Sequence, residues 1–196
     1  ISVNPQTMHD KTLQLIGRRH SVREFYNAYE LVRKSRIPIV NVDLIIGLPQ
    51  ETEQEIAYSL EQAVKLAPEN LTVHTLTLKR SAPLFQKQEQ AVLTTQAAEK
   101  MVQRAAEMAA AIGLEPYYLY RQHYMLGHLA NIGYAKPGTE SIYNIQMMEE
   151  RHPVIGVGPA SASKVPLPDG HHLHKLNMPK NVAVYGARLQ ELAERR

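Results

Sequence analysis

The feature that most narrows the fold is a rhythm of short apolar runs separated by single helix-sized segments, with a helix-start signal at two of the junctions. Ser21 is followed by Glu24, and Thr52 by Glu55. This is the capping-box spacing, in which a hydroxyl and a carboxylate satisfy backbone amides left free at a helix N-terminus. It predicts helices from Ser21 to about Ser35 and from Thr52 to about Leu66, the second closing before Pro68. A shorter helical stretch is expected around Lys11 to Ile16. Ile1 to Asn4, Ile39 to Ile46 and Leu71 to Leu76 read as strands, the first ended by Pro5, which lacks an amide donor. A segment rich in alanine, glutamine and glutamate, about Gln90 to Ile112, predicts a long helix terminated at Gly113, with a fourth strand over Pro116 to Tyr120.

Strands joined through single helices imply parallel βα units with right-handed crossovers, three of them here. Beyond Arg121 the rhythm stops and Gly, Pro, Asn and His become frequent. Short extended pieces are expected near Ser141 to Ile145 and Val154 to Val157, followed by a C-terminal helix from about Val182 to Glu194. The chain thus divides into a βα part, 1–121, and a C-terminal extension, 122–196.

Side chains alternate faces along a strand, so Asn41, Asp43 and Ile45 share one face while Val40, Val42, Leu44 and Ile46 share the other. The same alternation groups Ser2, Asn4 and Gln6, and Thr72, His74 and Leu76. Three consecutive strands therefore present a polar side. A doubly wound sheet is covered by helices on both faces and reads apolar on both, whereas a barrel turns one face toward a ligand-bearing interior. The pattern predicts an α/β fold with a partial barrel.

Asp43 is the sharpest single signal, because a desolvated carboxylate is costly without donors. Two readings stand: an ion pair with Arg18 or a backbone contact that pins the fold, or an acceptor for ligand hydroxyls such as a ribose diol. In the second, Gln6 and Arg18 complete a polar set near the strand ends. Gly47-Leu48-Pro49 leaves room for a ligand to approach the backbone directly after the strand. The run 154–161, VIGVGPAS, opens an apolar strand into a glycine turn without the spacing of a phosphate loop. Gly170-His171-His172-Leu173-His174 offers imidazoles but no completed metal-ligand set, and Tyr117, Tyr118, Tyr120 and Tyr124 read as packing.

Composition sets the outer limits. The 196 residues carry a formal net charge of +3, with basic and acidic residues interspersed, which argues against a nucleic-acid partner. No run of roughly eighteen apolar residues suggests a membrane span, and no secretory signal precedes the first strand, so a cytoplasmic location is expected. With no cysteine, the chain offers no disulfide, no thiolate nucleophile and no thiolate ligand for an iron–sulfur cluster. It starts at Ile1, inside an expected strand, which reads as a fragment lacking an N-terminal part.

Taken in order, ISVNPQTM, LIGRRH, NVDLIIGLPQET, LTVHTL, YYLYRQ, GYAKPG, IYNIQMMEE and VIGVGPAS resemble the oxygen-independent coproporphyrinogen III oxidase family, also described as coproporphyrinogen dehydrogenases, within the radical S-adenosylmethionine superfamily. The resemblance implies a partial (β/α)6 barrel of TIM type. It also implies a [4Fe–4S] cluster whose CxxxCxxC ligands lie upstream of Ile1, and S-adenosylmethionine cleaved to a radical that takes hydrogen from a propionate, which then loses carbon dioxide to leave a vinyl group. Carried over by residue, Gln6 and Asp43 would hold ribose hydroxyls, Arg18 would face the cofactor's carboxylate, and Gly47 would admit the methionyl end. Ile145, Gln146 and Ala162 would pack around the adenine. A tetrapyrrole substrate and an external electron donor follow from the same resemblance, and the isolated chain, lacking the cluster ligands, would be inactive. No catalytic residue and no metal ligand is assigned within these residues.

Two alternatives accompany this reading. One is a haem-binding chaperone of the same superfamily, whose usual HN-x-x-YW pattern is replaced here by Tyr143-Asn144-Ile145-Gln146. The other is an unrelated βα-repeat protein that binds a phosphorylated metabolite.

Overall fold

The computed structural model describes residues 1–77, 93–121, 129–170 and 172–194. Contacts divide them into two units, Ile1–Ser141 and Ile142–Arg196.

In the first unit both capping boxes form. After α1, Asp10–Leu15, Ser21 Oγ accepts from the Glu24 amide at 3.2 Å at the N-terminus of α2, Val22–Lys34. Thr52 Oγ1 does the same for Glu55 ahead of α3, Glu53–Lys65. Between α2 and α3 lies β1, Asn41–Ile46, and after α3 comes β2, Asn70–Thr75. The two strands pair in parallel, Asn41 opposite Asn70 through Ile46 opposite Thr75. The long helix α4, Thr95–Ala111, is capped by Thr94 and ends before Gly113, whose φ of 76° is the left-handed conformation expected of a terminator. Residues 90–92 of the predicted helix lie outside the described residues.

The first predicted strand is only a partial one. Residues 1–6 run alongside β1 through isolated parallel bridges, Ser2 with Asn41 and Gln6 with Leu44. Pro5 interrupts the ladder, and Gln6 adopts a φ of 68°, which turns the chain out of extended geometry.

The expectation of three successive parallel units is also corrected. β3, Glu115–Tyr120, does not pair with β2. A strand absent from the sequence reading, β4, Asn131–Ala135, inserts between them and runs antiparallel to both, giving the order β1-β2-β4-β3 in an open sheet. Its sequence, NIGYA, is short and carries a glycine in mid-strand, which weakens the strand signal.

One face of this sheet is apolar and meets the helices. Val40, Val42, Leu44, Ile46, Leu71 and Val73 are buried against Phe25 and Tyr29 of α2, Ile56, Leu60 and Ala63 of α3, and Ala98, Met101, Ala105 and Ala109 of α4. The alanines of α4 let that helix approach closely. Glu69, just ahead of β2, ties the layers together: it accepts from Arg33 of α2 at 2.8 Å and from the Val40 amide at 3.0 Å. Burial pushes its carboxyl up, but the Arg33 hydrogen bond and the Val40 amide outweigh that and leave it below the usual glutamate value.

The second unit departs most from expectation. Residues around Ser141 to Ile145, expected to be extended, begin the helix α5, Ile142–Glu149. Ile142, Tyr143 and Ile145 favour strands, but the helix formers that follow them, Gln146 to Glu149, carry the segment. Val154 makes one antiparallel bridge, to Lys164, where a strand was expected. A hairpin of β5, Ala162–Pro166, and β6, Leu173–Asn177, was not foreseen. The predicted C-terminal helix is two short ones, α6, Val182–Ala187, and α7, Leu189–Glu194, interrupted at Arg188.

Candidate functional site

The second face of the first unit's sheet is polar, as alternation predicts, and its side chains form a connected set. Asp43 projects from β1 with Asn41 two residues before it, and Asn41 Nδ2 donates to Asp43 Oδ1 at 2.6 Å and to Ser2 Oγ at 3.1 Å. Thr72, directly opposite Asp43 in register, donates to Asn41 Oδ1 at 3.0 Å. The chain of contacts continues to β3, where Tyr118 hydrogen-bonds Thr72; burial, foremost, raises that phenol above its usual value. On the other side of Asp43, His74 Nε2 lies 3.6 Å from Oδ2.

Asp43 is therefore partly braced from within, by Asn41, and not by Arg18. Its Oδ1 is engaged, while Oδ2 has no hydrogen bond among the described residues, since the 3.6 Å to His74 exceeds hydrogen-bond range. The carboxylate is mostly shielded yet retains 18% exposure, so it can still receive a donor from outside.

Gln6 and Asp43 are brought together through the main chain. The Gln6 amide donates to the Asp43 carbonyl at 3.1 Å and its carbonyl accepts from Ile45 at 2.9 Å. Gly47 follows β1 with a φ of 88°, a conformation glycine adopts without strain, so the turn needs this residue for its geometry. Arg18 is exposed and lines a cleft of about 660 Å³ with Asn4, His20 and Glu24, apart from the Asp43 set. Asn4, which lines the same cleft, has its Oδ1 buried without a hydrogen-bond partner among the described residues.

A buried carboxylate missed by sequence reasoning sits just behind this region. Glu51, of the turn after β1, is 1% exposed and accepts from the hydroxyls of Thr7 and Thr12. Thr7 also contacts Ser59 at 3.4 Å, and the Met8 amide donates to Ser59 at 3.0 Å. Desolvation, the leading influence, raises Glu51 above the ordinary glutamate value despite those hydroxyls. The signal was available in GLPQET, where a second carboxylate follows the strand, but the capping role of the neighbouring Thr52 masked it.

The three remaining predicted residues lie in the second unit. Ile145 is half-buried and Gln146 exposed on α5. Ala162 starts β5, and its backbone passes so close to Gly156 that a Cβ there would come within 2.5 Å of the Ala162 carbonyl oxygen. The glycine of VIGVGPAS is thus needed for close backbone approach within this unit. In the histidine run, His171 lies outside the described residues and His172 pairs with Asp169 at 2.7 Å. Among the described residues no cluster of three or more His, Asp or Glu side chains could hold a metal ion. Tyr117 and Tyr118 pack edge-on, 4.8 Å apart, and Tyr124 lies outside the described residues.

The donor set fits part of what a nucleoside cofactor with an amino-acid end requires: an acceptor open to a hydroxyl at Asp43, an unpaired acceptor at Asn4 and a cation at Arg18. It does not fit an iron–sulfur cluster, for which the chain has no thiolate.

The chain is similar in sequence and fold to several known proteins. Residues 1–63 match the Radical SAM superfamily. The chain is 41% identical over 195 residues, 99% of its length, to the oxygen-independent coproporphyrinogen-III oxidase-like protein HemZ of Bacillus subtilis, and covers 39% of that protein. It is 27% identical over 173 residues, 88% of its length, to the heme chaperone HemW of Escherichia coli, covering 42% of it. In fold it is similar to the coproporphyrinogen III oxidase HemN of Escherichia coli, a radical SAM enzyme, with a TM-score of 0.67 at 17% identity over 97% of this chain and 43% of HemN. The chain spans about two fifths of the length of these relatives. The chain is therefore similar over nearly its whole length to an oxygen-independent coproporphyrinogen-III oxidase-like protein, with the match to the Radical SAM superfamily in its first 63 residues.

Proposed function

We propose that this chain forms the S-adenosylmethionine-binding part of a longer cytoplasmic radical SAM oxidoreductase that converts propionate side chains of coproporphyrinogen III, or a close tetrapyrrole, to vinyl groups. The observation that carries the reading is Asp43: a shielded carboxylate on the polar face of the sheet, with one oxygen held by Asn41 and the other open to a donor. Such an oxygen suits a ribose hydroxyl. Gln6, fixed against the Asp43 main chain, and Gly47 at the strand exit would stand on either side of the bound nucleoside, with Arg18 toward its carboxylate.

When bound, S-adenosylmethionine with a reduced cluster supplies the hydrogen-abstracting chemistry. For each propionate, one hydrogen atom would pass to the cofactor-derived radical and one electron to an external acceptor, with loss of carbon dioxide leaving the vinyl group, while an external donor would supply the electron that reduces the cluster. The residues described here bind and orient; the thiolate ligands would come from elsewhere in the protein.

The test uses the full-length protein, reconstituted without oxygen. Coproporphyrinogen III with S-adenosylmethionine and a reductant should yield vinyl products and carbon dioxide. Asp43→Asn should weaken S-adenosylmethionine binding by about 1–3 kcal/mol, the cost of disturbing a hydrogen bond to a charged group. Unchanged affinity would exclude the sugar role. The similarity to HemW supports a second reading, haem delivery. Transfer of haem to an acceptor protein without vinyl formation would decide in its favour.

A further inference from the structure

His74 is the neighbour of Asp43 to which neither motif spacing nor the comparisons give a role. In the β1–β2 register Asp43 faces Thr72 and Ile45 faces His74, so His74 is the diagonal neighbour of Asp43 on the polar face. Its Nε2 and Asp43 Oδ2 are 3.6 Å apart, with 34% and 18% of the two side chains exposed. That gap is too long for a direct hydrogen bond and too short to hold a whole residue between them. Because Asn41 holds Oδ1, the oxygen nearest the imidazole is the unengaged one.

The chemistry of the pair selects its ligand group. With the proton on Nε2, an ammonium could donate to the carboxylate but could not accept from the ring N–H. A phosphate or carboxylate could accept from the ring but would be repelled by Asp43. A hydroxyl does both: an oxygen about 2.8 Å from each atom can donate to Oδ2 while accepting from Nε2–H. The remaining neighbours do not compete for the position, since Thr72 is turned to Asn41 and Tyr118 to Thr72.

We propose that His74 is a second ligand-binding residue of this site, and that Asp43 and His74 together grip one hydroxyl of the ligand's sugar. The proposal rests on the reading of Asp43 as the sugar-binding carboxylate. It makes the pair a discriminator between ribose and a deoxyribose lacking that hydroxyl.

The experiment measures equilibrium binding of S-adenosylhomocysteine, and of its 2′-deoxy and 3′-deoxy counterparts, to the full-length, cluster-loaded protein. Variants are His74→Ala, His74→Gln, Asp43→Asn and the double variant Asp43→Asn/His74→Ala, each checked for an unchanged thermal midpoint. His74→Ala should weaken the ribose ligand about three- to tenfold, the net worth of one hydrogen bond. It should have no effect on one of the two deoxy ligands, and little further effect once Asp43 is already Asn. His74→Gln, which keeps an N–H donor near the same place, should recover most of the loss. Wild-type affinity in His74→Ala, or an equal loss for all three ligands, overturns the proposal while leaving Asp43 in its role. Wild-type affinity in Asp43→Asn overturns the sugar-site reading itself, and this proposal with it.

Discussion

The ring of Tyr118 fills the space above Gly133: a Cβ built on that glycine would lie 1.9 Å from the ring's nearest carbon. Gly133 pairs with Thr72 on one side and Tyr118 on the other, so the missing side chain is what lets the phenol reach across β4 to the threonine hydroxyl. Gly133→Ala should therefore displace the ring and destabilise the protein by about 1–3 kcal/mol, the usual range for overpacking. Urea unfolding would read this as a lower midpoint. Tyr118→Ala in the same chain should remove most of that penalty, because the two changes share one volume.

Glu51 gives a prediction with a definite sign in pH. Its folded-state carboxyl titrates above the ordinary glutamate value because burial disfavours the charge. The folded protein then binds the proton more tightly than the unfolded chain, so stability falls as pH rises from the ordinary glutamate value through the raised one. Glu51→Gln keeps an acceptor for Thr7 or Thr12 without the buried charge. It should be more stable than the parent near neutral pH and should lose this part of the pH dependence, as thermal midpoints between pH 4 and 8 would show.

Glu69 behaves in the opposite sense. Its carboxyl is held low by Arg33 and the Val40 amide against the effect of burial, so its contribution is present above the ordinary glutamate value and disappears as pH falls through the depressed one. Glu69→Gln should cost about 1.5–3 kcal/mol at neutral pH, the range for hydrogen bonds to a charged group. The same variant should narrow the difference in stability between neutral and acidic solution.

The capping box at Thr52 supports the helix that follows the strand bearing Asp43. Thr52→Ala removes the acceptor for the Glu55 amide and should destabilise the fold by about 1 kcal/mol. Thr52→Ser should restore most of it, measured by denaturant midpoint.

Local chemistry was legible wherever one segment decides its own state. The two capping boxes, the glycine after α4 and the alternation in β1 each depend on residues a few positions apart, and each is observed. The polar face carrying Asp43 was legible for the same reason. What sequence could not supply were relationships between distant segments: β4 exists as a strand because β2 and β3 offer it edges, and its glycine is explained only by Tyr118. Pro5 was read as the end of the first strand and Gln6 as sharing a face with Ser2 and Asn4, but Gln6 turns left-handed, and the residues after it bond to α3. His74 was placed on the polar face, but its nearness to Asp43 is a diagonal relation to a residue 31 positions away in the chain. In the second unit, short segments with few buried residues gave mixed local signals, and the helix at Ile142 was misread accordingly.

The reversed strand alters how the opening of the sheet is assembled. β1, β2 and β3 all finish at one edge, and β4 begins there, with Asn131 accepting from the Thr75 amide at 2.9 Å. Both ends of the β3–β4 connection are consequently anchored at the same mouth as the turn that carries Gly47. Replacing Asn131 would therefore be felt at the Thr75 end of β2, beside the turn that carries Gly47, although the two residues lie far apart in the chain.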